Sequence, residues 1–174
     1  AGFGGGVGLI ATPLMALVLP VDRTVGILLP LLFACDLFAV AHYRRLFDKR
    51  SLLLLIPGTI LGVCIGSWYL GKLEGHWLKL GMGVIAIMFV LFEVGRTKIL
   101  KQASRFHPGW ISGSICGTCA GFTSTLAHAA GPFATMFLLP QGFDRRLFVG
   151  TNAIFFAFLN GIKFVPYTTQ GILR

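Results

Sequence analysis

The sequence predicts an all-α, polytopic integral membrane protein, a helical bundle, and three observations lead to that prediction. The chain is 55% hydrophobic and only 12% charged, with a mean hydropathy of +0.81, whereas soluble domains are roughly 25% charged. Its apolar residues fall into runs long enough for bilayer-spanning helices, which need about 20 residues. A soluble chain of 174 residues exposes too much of its surface to hide this much apolar area.

Six spans are predicted in chain order. The first opens the chain and ends near residue 19, and the third, residues 51–71, carries no charged residue. The fifth lies within residues 108–143, which are 36 residues without Asp, Glu, Lys or Arg. One straight crossing uses only about 20 residues, so a broken helix, a steep tilt or a re-entrant hairpin must absorb the excess. The other predicted spans are residues 24–43, 77–95 and 147–167.

A repeated phrase marks the first and fifth spans. The segment 1–3 (Ala-Gly-Phe), followed by Pro13, recurs as the segment 120–122, followed by Pro132, at a constant offset of 119. Prolines, glycine runs and hydroxyls interrupt helices, and interrupted helices at matching positions of two halves indicate a transport site. The predicted substrate-binding residues in these segments are Gly4, Gly5 and Gly6 in the first copy, and Thr123, Ser124, Thr125 and His128 in the second.

The repeat also predicts the domain organisation. Residues 1–107 form a first transmembrane unit of about four spans, and residues 108–174 form the start of a second, incomplete unit, each with a broken first helix. Six simple crossings place spans one and five in the same direction, so the two units are expected to be parallel. Because the chain opens inside its own motif, we expect a fragment that lacks the start of its first span and roughly 60 residues at its end.

The net charge of +9 is placed as a membrane topology requires. The two most basic connections, residues 44–50 and 96–105, flank apolar spans and are predicted to face the cytoplasm. Arg145 and Arg146, after the fifth span, are then expected in an outer loop. Nucleic-acid binding is not expected, because it needs a basic patch on a polar domain.

Polar residues inside other spans are candidates for lining a path. A carboxylate at a helix centre costs about 2.5–3.5 kcal/mol to insert, so Asp36 is predicted either to couple protons or to pair with a neighbouring Lys or His. In the sixth span, Asn152, Asn160 and Lys163 share one helical face. The asparagines are expected to line the interior. Lys163 either attracts an anion or snorkels towards the interface, and snorkelling is the preferred interpretation.

Each candidate in the repeated phrase has a structural alternative. The glycine run either presents backbone N–H groups to an anion or allows close helix packing. The hydroxyls of residues 123–125 either replace an oxyanion's hydration shell or bond to carbonyls of their own helix. His128 either donates to an anion or relays a proton, or it is a neutral interior residue bonded to a neighbouring helix.

Several of these motifs resemble the TauE/SafE family, whose members are sulfite exporter or sulfonate permease-like proteins. The resemblance covers essentially the whole chain and is carried by residues 2–6 with Pro13, 29–39 with 43–45, 120–123, 129–132, and 150–153 with Asn160 and Lys163. It implies gradient-driven transport of small, often sulfur-containing anions across a bacterial-type inner membrane. The substrate is then a small anion, and Asp36 favours H⁺ as the coupling ion. His128 stands where related sequences often place Asn or Ser.

Two other functions stay open at this point. Cys116 and Cys119 form a C-x-x-C pattern that suits an intramembrane thiol–disulfide electron carrier, although all four cysteines lie in apolar spans and are interpreted as packing residues. The other alternative is a non-transporting membrane assembly factor. No metalloprotease, nucleophile-elbow or P-loop pattern is present in the sequence, so we expect neither an enzyme nor a cofactor or metal. The preferred prediction is a secondary transporter that works by alternating access.

Overall fold

The computed structural model describes residues 6–43, 45–70, 72, 76–77, 80–81, 83–85, 87–88, 90–91, 94–95 and 108–173. Its helices are α1 (Gly6–Ala16), α2 (Val21–Tyr43), α3 (Lys49–Leu70), α4 (Trp110–Ala127), α5 (Gly131–Leu138) and α6 (Arg145–Thr169), with a short 3₁₀ helix (Leu139–Gln141) after α5. The described residues between 76 and 95 are helical as well. Because α2, α3 and α6 are long and apolar enough to cross a membrane, the all-α polytopic fold is confirmed.

Helices α3 and α4 form the tightest pair, because glycines line both facing surfaces. These glycines are Gly58, Gly62 and Gly66 on α3, and Gly113, Gly117 and Gly121 on α4. A Cβ added at Gly62 would collide with the carbonyl oxygen of Thr118, and one added at Gly58 would collide with that of Ser114. The contacting residue numbers rise together, so the two helices run parallel with their backbones touching.

Helices α4 and α5 form a hairpin that returns to the end of the bundle where it began. Helix α4 starts beside the N-terminal part of α3, where Gly113 packs on Leu54. The chain turns at residues 128–130, and the 3₁₀ helix comes back to the same level, where Ser51 Oγ donates to Gln141 Oε1 at 2.9 Å. The predicted fifth span is therefore a re-entrant hairpin, and the prediction of six simple crossings is wrong.

The hairpin sets the direction of α6. This helix starts beside the connection between α2 and α3, where the Asp48 N–H donates to Thr151 Oγ1 at 2.9 Å. It ends near the start of α2, where Ile172 contacts Gly26, so α2 and α6 run antiparallel. The two helices occupy matching positions of the repeat, whose offset is 119. The expectation of parallel halves is therefore wrong, because these corresponding helices are inverted.

The inversion gathers basic residues at one end of the bundle. Arg145 and Arg146 begin α6 at the same end as Arg45, Lys49 and Arg50 of the α2–α3 connection, and this end is termed the basic end. The expectation that Arg145 and Arg146 lie in a loop on the opposite face is therefore wrong. The positive-inside rule favours basic residues gathered at one end of the bundle. The basic end is therefore still predicted to face the cytoplasm.

Two apolar clusters meet at the turn of the hairpin. One contains Leu70 and Ala129 and lies away from the basic end. The other contains Leu55 and Ala130 and extends towards the basic end. The polar groups of the turn are thus enclosed between two hydrophobic regions, which places the irregular backbone inside protein and away from lipid.

Gly62→Leu is expected to destabilise the protein, because a larger side chain cannot fit against the Thr118 carbonyl. Overpacking of this kind costs about 1–3 kcal/mol, and the expected result is a lower midpoint of thermal unfolding in detergent. Gly81→Leu is the control, since a Cβ at Gly81 meets nothing within 4 Å. Equal unfolding midpoints for the two variants would contradict the close backbone contact.

Candidate functional site

The candidate site lies at the turn between α4 and α5. Helix α4 ends at Ala127, α5 begins at Gly131, and His128 between them has a φ of 51°. Among the described residues, His128 is the only non-glycine residue with positive φ. The left-handed conformation costs such a residue roughly 1–2 kcal/mol, so surrounding contacts must hold it in place.

Lys163 of α6 points into this turn and is completely buried. Its Nζ donates to Ser124 Oγ at 3.0 Å and to the Ser124 carbonyl oxygen at 3.3 Å, and it lies 2.9 Å from His128 Nδ1. The preferred interpretation that Lys163 snorkels to the interface is therefore wrong. All three hydrogen-bond partners are neutral groups, so this cation is buried without a hydrogen-bonded anion.

The tautomer of His128 follows from its partners. His128 Nε2 lies 3.1 Å from the Val25 carbonyl oxygen, which only accepts, so Nε2 is assigned the hydrogen. Nδ1 lies 3.2 Å from the Ser124 carbonyl oxygen and 2.9 Å from Lys163 Nζ. Because the ammonium can only donate, Nδ1 is assigned no hydrogen and accepts from Lys163. The ring is a neutral link between α2, α4 and α6, and these bonds hold the left-handed turn.

Ser124 differs from every other buried Ser and Thr in the described part of the chain. The others donate their hydroxyl hydrogen to a protein acceptor, usually the carbonyl oxygen four residues earlier; they are Thr12, Thr24, Ser51, Thr59, Ser67, Thr123, Thr125 and Thr151. Ser124 Oγ only accepts, from Lys163. Its own hydrogen therefore remains available to a bound acceptor.

The start of α5 adds further unpaired donors. No side chain caps this helix and Pro132 has no N–H, and no described residue accepts a hydrogen bond from the N–H of Gly131 or Phe133. These groups lie at the positive end of the helix dipole. Together with the Ser124 hydroxyl they form a set of donors for which no described residue is the acceptor, and they lie beside the Lys163 charge, which suits an oxyanion.

Sequence reasoning missed two groups that complete the turn, the Val25 carbonyl and Tyr167. The Tyr167 hydroxyl is buried and donates to the Thr125 carbonyl oxygen at 2.6 Å. It therefore satisfies a carbonyl left free at the end of α4. A signal was present, because Tyr167 follows Lys163 by one helical turn and lies on the same face.

Asp36 is turned towards α6 and away from lipid. Asn160 Nδ2 donates to Asp36 Oδ2 at 2.6 Å. Asn160 precedes Lys163 by about one turn of α6, and the Asp36 carboxylate and the Lys163 ammonium attract each other through space. The structure thus brings Asp36 and Asn160 next to the turn that holds Ser124 and His128.

Asn152 lies apart from this group, about two turns of α6 before Asn160. It is 4% exposed, and its Oδ1 is the one buried side-chain nitrogen or oxygen without a hydrogen-bond partner among the described residues. An unpaired buried acceptor costs about 1–3 kcal/mol. Asn152 is therefore an exception that calls for a reason.

The first copy of the repeat is only partly described. Gly4 and Gly5 lie outside the described residues, and Gly6 begins α1, which continues through Pro13 to Ala16. The expected break is thus present in the second copy, whereas the described part of the first copy is one continuous helix. Gly8 connects the two copies, because a Cβ added there would meet the carbonyl oxygen of His128 at 2.8 Å.

The thiols do not gather at the turn. All four cysteines, Cys35, Cys64, Cys116 and Cys119, are free. Cys116 and Cys119 lie about one turn apart on α4, both partly exposed. Among the residues with assigned positions, no group of His, Cys, Asp or Glu is arranged to hold a metal ion.

The fold and the turn define a polytopic helical membrane protein with a re-entrant hairpin and an inverted pair of long helices. The chain belongs to the sulfite exporter TauE/SafE family, whose model matches residues 1–174. No curated protein and no solved structure matches the chain. Members of this family are transporters and not enzymes, and the family indicates membrane export of sulfite or related sulfur compounds.

Tyr167→Phe is expected to lower the stability of the folded protein, because the Thr125 carbonyl then loses its donor inside the bundle. Such a loss costs about 1–3 kcal/mol and is measurable as a lower thermal midpoint in detergent. Tyr69→Phe is the matched control, since the Tyr69 ring is 40% exposed. If both variants unfold at the wild-type temperature, Tyr167 does not hold the hairpin turn.

Proposed function

We propose that this protein is a secondary-active transporter that moves small sulfur-containing anions, of the sulfite, sulfonate or organosulfur class, across the inner membrane by alternating access. One observation carries the proposal: the fully buried Lys163 has only neutral hydrogen-bond partners. A charge inside a bilayer is costly unless an opposite charge contacts it, and Asp36 is hydrogen-bonded to Asn160 and not to Lys163. An anion bound at the hairpin turn supplies that direct contact.

The donors at the turn fit the oxygens of a sulfite or sulfonate group. Ser124 offers a hydroxyl hydrogen, Gly131 and Phe133 offer backbone N–H groups, and Lys163 offers charge at the same turn. These groups replace the hydrogen bonds that the anion loses when it leaves water. Thr123 and Thr125 contribute to this site through the fold, since their hydroxyls bond back to α4.

Asp36 supplies a physical basis for coupling to protons. The ionised Asp36 carboxylate and a bound anion compete for the positive charge of Lys163. Protonation of Asp36 removes that competitor, so proton binding and anion binding reinforce each other. The coupled solutes then move together, which is the behaviour of a proton-linked anion transporter.

The inverted arrangement supports alternating access. Inverted repeats place a substrate site at their interface, and gating of one element against another exposes it to each side in turn. Here Asp48–Thr151 and Ser51–Gln141 hydrogen bonds join elements at the basic end. A Gln170 side chain bonded to the Ser67 carbonyl joins them at the other end. Breaking these links alternately would open the turn to opposite faces.

Liposomes containing the full-length protein are expected to take up labelled sulfite or sulfoacetate faster when a proton gradient is imposed. Asp36→Asn is expected to abolish the acceleration by the gradient while sulfite still moves down its own gradient, because the neutral amide cannot exchange protons. Asp22→Asn, at the exposed start of the same helix, is the control and should respond like the wild type. Wild-type protein with a flat response to all anions tested would refute transport.

Ser124→Ala is expected to raise the half-saturating sulfite concentration roughly tenfold, because a hydrogen bond to a charged group contributes about 1.5–3 kcal/mol and about 1.4 kcal/mol corresponds to tenfold. Thr118→Val on the same helix is the control, since the Thr118 hydroxyl bonds back to the Ser114 carbonyl at 2.8 Å. Concentration-dependent uptake in liposomes measures both. An unchanged value for Ser124→Ala would remove Ser124 from the anion site.

A further inference from the structure

Asn152 lies too far from the hairpin turn to belong to the same anion site. It precedes Lys163 by 11 residues on α6, which corresponds to about 16 Å along the helix axis at a rise of about 1.5 Å per residue. An anion of the size of sulfite cannot contact both side chains at once. The unpaired Oδ1 of Asn152 therefore needs a separate explanation.

Within the described part of the chain, the surroundings of Asn152 give its Oδ1 no hydrogen-bond partner. Its neighbours in sequence contact the α2–α3 connection. A Cβ at Gly150 would collide with the Leu46 carbonyl oxygen, and Thr151 Oγ1 accepts from the Asp48 N–H. One turn further along α6, Phe155 and Phe156 enter the apolar cluster towards the basic end. This amide is buried between the α2–α3 connection and aromatic rings. It does not stabilise the fold unless a ligand bonds to it.

The charges at this end of the bundle favour a negatively charged ligand. The basic end carries Arg45, Lys49, Arg50, Arg145 and Arg146. The carboxylates of Asp48 and Asp144 are already used there, because each accepts from a backbone N–H at a helix start. The net positive field attracts anions. A protonated oxyanion such as hydrogensulfite can donate its O–H to Asn152 Oδ1 and accept from the Asn152 NH₂ group, so both ends of the amide are used.

We propose that Asn152 forms a second station for an oxyanion, between the basic end and the hairpin turn. The station takes the same class of anion as the proposed transport site, so this inference rests on the proposed function. An anion attracted by the basic end binds first at Asn152 and then passes along the face of α6 that carries Asn160 and Lys163. Two stations in series let the anion lose its hydration in two steps.

Equilibrium dialysis of the full-length protein in detergent with radiolabelled sulfite tests the second station. The wild type is expected to bind two sulfite ions per chain at saturation. Asn152→Leu and Lys163→Met are each expected to lose one of them, and the double variant both. Gln170→Met is the control, because this amide is bonded to the Ser67 carbonyl at the other end of the bundle and both ions should be retained.

The outcomes separate this inference from the proposed function. If the wild type binds one ion that disappears in Lys163→Met and persists in Asn152→Leu, the second station is refuted and the hairpin site stands. If the wild type binds none, both fail. Asn152→Asp covers the case in which Asn152→Leu does not fold, because its carboxylate repels an anion but keeps a bound water. Two ions retained in a folded Asn152→Asp protein would show that the unpaired atom serves a water and overturn the inference.

Discussion

Every backbone polar group within a bilayer must find a partner inside the protein, and this constraint governs the turn between α4 and α5. Two carbonyl groups in the last turn of α4 are bonded by side chains of α6: Lys163 donates to that of Ser124, which also accepts from the His128 N–H, and Tyr167 donates to that of Thr125. Thr123 bridges the turn by donating to the Ala129 carbonyl at 3.1 Å. The donors at the start of α5 have no such partners among the described residues. The break thus has bonded carbonyl groups on one side and amide groups without a described partner on the other, and this asymmetry is the basis of the proposed anion site.

The sequence was sufficient to predict the helical membrane fold, the position of the break and several of the residues around it, among them Ser124, His128 and Asn160. Uncharged runs predict spans because charged groups are costly in lipid, and the polar face of α6 predicted that Asn160 points inwards. It was insufficient for the burial of Lys163, because a long cationic side chain near a helix end is equally compatible with snorkelling. It was also insufficient for the roles of the hydroxyls. Thr123, Ser124 and Thr125 are adjacent, and only the positions of their acceptors separate Ser124 from the other two.

The sequence-based prediction was wrong about the direction of α6 relative to α2. A repeat offset of 119 identifies matching elements but carries no information about their relative orientation. An uncharged stretch of 36 residues fits a tilted crossing as well as a hairpin. The charge of Arg145 and Arg146 was the available signal, since a hairpin places both with the other basic residues and a simple crossing does not. With the hairpin in place, α2 and α6 become inverted counterparts, and Gly8 of the first copy packs against the turn of the second.

The glycine-lined contact between α3 and α4 restricts how the molecule can change shape. Helix α3 belongs to the predicted first unit and α4 to the second, yet their backbones are in direct contact at Gly58, Gly62 and Gly117. The two units therefore cannot rock as separate rigid bodies about their boundary. Helices α2 and α6 contact each other through side chains over their middle, where the Phe33 and Phe164 rings meet edge-on at 5.2 Å between centroids. The backbone approaches closely only at the two ends of the pair, at Gly26 and Gly150. A change of shape that keeps the α3 and α4 backbones together must therefore move α2 and α6 relative to this pair, by rearranging side-chain contacts and hydrogen bonds.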